Sequence, residues 1–167
     1  MSQDAARKRR AGGLPATAIT GHATNIPSRD RVMVQFVIPG ESVPWARAGA
    51  QGKRHFTPKR QSDFMGAVKT IAAAAMRGAP PLAGPVSMDV RAVYLIPESW
   101  SKKRKAAAYW KASKPDCSNI TKILEDAINS IVYVDDAQVA HLNVVKIYGP
   151  VAFVRVVVES LEGVEGA

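Results

Sequence analysis

Between Lys114 and Gln138 the chain gathers Asp116, Lys122, Asp126, Asp135 and Asp136 around one short apolar run. These residue types can hold a divalent cation beside a phosphate. Ile120, Ile123, Leu124, Ala127 and Ile128 recur at three- and four-residue steps, which predicts a helix with one buried face. Asn119, Lys122, Asp126 and Asn129 then share the opposite side. Such a stripe is compatible with plain solvation, but its flanks add acid at both ends. Asp116 precedes the helix on a segment that Pro115 keeps extended, and the apolar run Ile131 to Val134 reads as a strand ending in Asp135 and Asp136. Adjacent carboxylates repel, and a chain that sets two of them near other acids usually offsets the repulsion with a cation. Mg2+ is the natural candidate, with Mn2+ able to substitute. Ser118 reads as the helix N-cap, its hydroxyl accepting from a free backbone N–H.

A metal held this way suits hydrolysis of a phosphodiester, which gains negative charge in the transition state and needs an activated water. Lys122 can meet the charge developing on a phosphate oxygen. Two ions, if bound, would lie about 3.5–4 Å apart and clamp the entering and departing oxygens.

Composition points to a polyanionic partner. Among 167 residues, 23 Lys and Arg against 14 Asp and Glu give a formal charge of +9. The excess is clustered: Arg7 to Arg10, then Arg47, Lys53, Arg54 and Lys59, then Lys102, Lys103, Arg104 and Lys105 with Lys111 and Lys114. The second cluster, with Gly49 and Gly52, reads as a mobile phosphate-binding loop. The third lies just before Asp116 and reads as steering a strand toward the acids. Trp45, Trp100 and Trp110 are candidates for base stacking, with core packing the alternative. Hydrophobic content of 47% without an apolar run of membrane-spanning length predicts a soluble globular protein, with no membrane partner. Cys117 is the single cysteine, so an intrachain disulfide and a cysteine zinc cluster are excluded and a reducing cytoplasm is expected. His141 follows the acid pair and is a minor candidate ligand.

The pattern Lys114-Pro115-Asp116, Asn119, Lys122, Asp126-Ala127, Asn129, then Asp135-Asp136 and Gln138, resembles the RusA-type Holliday-junction resolvases. The upstream stretch Val34 to Gly40, Val43-Pro44 and the basic loop to Lys59 is similar to the first strand and basic loop of that family, so the resemblance runs from about Arg31 to Glu159. It implies a Mg2+-dependent endonuclease that resolves branched DNA by paired nicks with 5′-phosphate and 3′-hydroxyl ends. It also implies a homodimer matching the two-fold junction, and no small-molecule cofactor. Asp116 and Asp136 match the family's catalytic acids, and Lys122 matches a lysine implicated in catalysis. Ser118 stands where relatives commonly carry a second aspartate, which leaves the metal to Asp116, Asp136, Asp135 and Asp126. Ser130 follows Asn129 where many relatives have glycine. Two other readings therefore remain: a junction-binding protein with weak or lost cleavage, and a basic nucleic-acid-binding domain whose acids are structural.

The elements that must position these residues are readable from periodicity. Val32 to Ile38, Val86 to Ile96 and Ala152 to Val158 alternate as strands with one buried face, and Val139 to Ile147 forms another. Lys59 to Arg77 is an alanine-rich helix ending at Gly78, and Trp100 to Ala112 reads as a helix capped by Ser99 or Ser101. An α+β single domain over residues 28–160, a mixed sheet with helices packed on it, is the economical arrangement, between a flexible basic tail at 1–27 and a short tail at 161–167.

Overall fold

The computed structural model describes residues 31–46, 49–51, 54–56 and 58–161. The expected tails, Arg47 and Lys53 lie outside the described residues, as does the side chain of Arg54. The alternating apolar segments form four strands: β1 (Met33–Pro39), β4 (Val86–Leu95), β5 (Val139–Gly149) and β6 (Phe153–Ser160). They make one sheet in the order β1-β6-β4-β5, antiparallel except for the parallel pair β4/β5. A parallel pair needs a long crossover. Here the crossover runs between Leu95 and Val139 and carries α2 (Lys102–Ala106) and α3 (Cys117–Ile128), so every acid singled out above sits in it.

One sheet face is covered by α1 (Lys59–Met76) and α3, which pack on each other. Phe64, Val68, Ala72 and Met76 from α1 and Ile120, Ile123, Leu124, Ala127 and Ile128 from α3 are buried against Phe36, Ile38, Met88, Val90, Val154 and Val156. The three- and four-residue spacing in the helices and the alternation in the strands converge on this single core. The fold is α+β, a mixed sheet with helices on it. Helix α1 stops where Arg77 turns left-handed (φ 51°) ahead of Gly78. In the basic loop the backbone forms a short antiparallel hairpin, β2 (Gly49–Gln51) with β3 (Arg54–Phe56).

Two expected elements differ. Ile131 to Val134 is not a strand. After α3 the chain turns through Ser130 in the left-handed region (φ 61°), and Val132 and Tyr133 plug the core at full burial. Tyr133 makes isolated bridges to Leu82 and Asn129, with Leu82 N–H donating to Val132 O (2.8 Å) and Val134 N–H donating to Leu82 O (3.3 Å). A short apolar run meets the demand for burial equally as strand or plug, and here the nearby Leu82 backbone takes its hydrogen bonds. The helix expected over Trp100 to Ala112 is only α2, five residues capped by Ser101, whose Oγ accepts from Arg104 N–H. It ends because Tyr109 to Lys111 pairs with the free edge of β5: Tyr148 N–H donates to Tyr109 O (2.8 Å) and Lys111 N–H to Lys146 O (3.1 Å). An uncovered sheet edge offers more backbone partners than a few further helical residues would make.

Candidate functional site

Helix α3 sets the geometry. Its N-cap is Asp116, in extended conformation (φ −75°, ψ 150°), after a cis Lys114–Pro115 bond. Ser118 is therefore not the cap, as the sequence suggested, but the second helical residue. The boundary moves because the chain already turns helical at Cys117, where Asp116 O takes the first helical bond from Ile120 N–H (3.2 Å). Asp116 makes no side-chain capping bond and is exposed, so both carboxylate oxygens are free at the positive end of the helix. The approach to it is tied down by two lysines. Lys111 Nζ donates to Ser113 Oγ and Lys114 O (both 2.7 Å), and Lys146 Nζ donates to Ser113 O (2.9 Å) and Pro115 O.

The two adjacent acids divide their labour. Asp135 caps the 3-10 turn Asp136–Gln138, its Oδ1 accepting from Ala137 N–H (2.9 Å), while Gln138 Oε1 accepts from Asp135 N–H (2.8 Å). Gln138 Nε2 also donates to Leu82 O and Gly84 O, which anchors the turn to the strand approach. Asp136 is exposed and makes no such bond. It stands close enough to α3 to act on Glu125, whose carboxyl is pushed up by burial first and then by the charges of Asp136 and Asp126, while Lys122 pulls the other way. Burial, together with Glu125, Asp136, Asp126 and Asp135, also raises the Tyr133 hydroxyl. Tyr133 Oη and Asn129 Oδ1 are both buried without a hydrogen-bond partner beside this cluster. Glu125 was missed from sequence, although it lies three residues after Lys122, a step that places both on one helix face.

Lys122 sits between the two ends. It is exposed, 3.7 Å from Asp126 Oδ1 and 5.4 Å from the Trp45 ring centroid. Asp116 and Glu125 are nine positions apart, which at 1.5 Å per residue is ~13 Å along the axis. The structure thus sets Glu125 within electrostatic reach of Lys122, Asp126 and Asp136, and places Asp116 at the opposite end of α3. Of the basic residues, Lys102, Lys103 and Arg104 are exposed on or beside α2, Lys114 is exposed two residues before Asp116, and Lys59 pairs with Asp63 (2.6 Å). His141 is exposed in β5, paired in register with Ser87.

Carboxylates with neighbouring orphan oxygens, and a glutamate raised by burial and then by nearby negative charge, match a hard dication in donor chemistry. In position they are less complete: among the described residues, no three His, Cys, Asp or Glu side chains are grouped to hold an ion.

A mixed sheet whose parallel crossover presents an acidic helix face, on a chain of charge +9, defines an α+β protein with a strongly basic composition. Residues 39–159 match the model of the family described as endodeoxyribonuclease RusA, and the chain belongs to that family. RusA proteins are endodeoxyribonucleases acting on branched DNA, generally with divalent metal. The chain is also 32% identical over 137 residues to "Uncharacterized protein YqaN" of Bacillus subtilis (strain 168), covering 77% of this chain and 96% of that one.

Proposed function

We propose that this protein is a Mg2+-dependent, structure-selective endonuclease that resolves four-way junctions by paired symmetric nicks, acting as a homodimer. The observation that carries the reading is at α3 and the turn after it: Asp116 and Asp136 keep carboxylates free of capping bonds, and Lys122 is held on the exposed side of the helix beside Asp126. Asp116 and Asp136 would supply carboxylate oxygens to the ion, Glu125 and Asp126 add negative charge on the Asp136 side, and Asp135 shapes the turn. When bound, the ion would supply an acidified water and a counter-charge for the phosphate. Lys122 places an ammonium where a phosphate oxygen gathers charge, and its pairing with Asp126 keeps it on that face. The lysines around Asp116 and α2 attract the backbone. A two-fold dimer would present two identical sites to a two-fold junction.

A second reading, binding with weak or lost cleavage, is favoured by one observation: three ligating side chains are not grouped among the described residues, and Ser118 adds a neutral group where an acid would help. A labelled synthetic junction incubated with and without Mg2+ separates them. Symmetric, metal-dependent nicks support the enzyme; tight junction binding with no cleavage in any divalent metal supports the second reading. Ser118→Asp is expected to raise the nicking rate if the site lacks a ligand, and an unchanged rate would show that another ligand already serves.

A further inference from the structure

We infer that the cleft between α2 and the added edge segment Tyr109 to Lys111 binds an unstacked DNA base and feeds its strand toward Asp116. The cleft, of about 450 Å³, is lined by Trp100, Arg104, Trp110, Ala112, Ser113 and Tyr148. Its volume falls within the roughly 300–1,000 Å³ of ligand pockets. The Trp100 ring already has one face under the Arg104 guanidinium (3.7 Å to the centroid) and meets Tyr148 edge-on (5.2 Å, 66°). Trp110 is different. It remains 67% exposed, braced edge-on by Tyr109 (4.8 Å, 81°), while an isolated bridge to Ile147 fixes its backbone. An exposed indole held on a paired backbone costs little ordering entropy when a flat partner stacks on it.

The surroundings choose the partner. No acid lines the cleft, and Lys102, Lys103, Lys105, Lys111 and Lys114 lie on the segments that bear its wall. Aromatic faces within a basic rim fit a base with its phosphates, because stacking serves any base while the cations follow the backbone. Ser113 lines the cleft three residues before Asp116, so a strand seated here leads to the start of α3. The inference rests on the junction-nuclease reading for its biological substrate and extends it by naming the element that senses unpaired DNA.

The test uses the full chain in EDTA, so that binding is read without cleavage. Tryptophan emission and affinity are measured with an oligothymidine single strand and with a blunt duplex of equal length, at one salt concentration, for the parent, Trp110→Ala and Trp110→Phe. The single strand should quench parent emission. Trp110→Ala should lose about 5- to 100-fold in single-strand affinity and little in duplex affinity, and Trp110→Phe should recover most of the loss. An unquenched parent, or equal losses on both DNAs, would overturn the inference, and the first result is decisive even if Trp110→Ala folds poorly. A proline-rich peptide that binds the cleft and is not displaced by single-stranded DNA would overturn it as well. Absence of Mg2+-dependent nicking with the single-strand preference intact would instead contradict the nuclease reading.

Discussion

Asp135 and Asp136 are adjacent and identical in type, yet one oxygen of Asp135 is spent on Ala137 N–H and Asp136 remains free. Asp135→Ala should therefore weaken folding more than it changes metal response, and Asp136→Asn the reverse, as read by melting with and without Mg2+. Glu125 adds a pH signature. Its folded carboxyl is raised above the unfolded value, so the native state binds more protons and stability falls as pH climbs through the unfolded value toward the raised one. In EDTA, Glu125→Gln should flatten that fall and make the protein more stable than the parent at neutral pH. An unchanged profile would show that Glu125 does not carry the repulsion. The types of these residues were legible in sequence. Their division was not, because it depends on which oxygen meets the turn's backbone.

At the scale of elements, the alternation in β1, β4 and β6 and the helical spacing in α1 and α3 were read correctly because each element buries one face against a single core. Failure came where nonlocal backbone partners decided the outcome. Tyr109 to Lys111 pairs with the β5 edge, and Val132 with Tyr133 fills the core beside Leu82. Gln138 holds that second region by bonds to Asp135, Leu82 and Gly84, so Gln138→Ala should cost about 1–3 kcal/mol in chemical denaturation. Ser130, with φ 61°, adopts a conformation that glycine enters freely. Ser130→Gly should raise stability by about 0.5–1 kcal/mol, since relief of left-handed strain outweighs added unfolded-chain entropy. A loss would place the bond that the Ser130 hydroxyl donates to Val134 O (3.4 Å) above the strain.

For the whole molecule, charge and the acidic strip act together. Lys111, Lys114 and Lys146 border the end of α3 that carries Asp116, while Glu125, Asp126 and Asp136 add negative charge toward the other. DNA affinity should fall by about 10³ to 10⁵ between 50 and 200 mM salt if 6 to 10 phosphates are contacted. A nearly flat salt response would remove the electrostatic basis of recognition. The most direct test of the account is nicking of a labelled four-way junction in Mg2+ by the parent, Asp116→Asn and Asp136→Asn, with binding measured in parallel. The parent should make symmetric nicks, and both variants should lose nicking with junction affinity kept. Parent-rate nicking by either variant would contradict it.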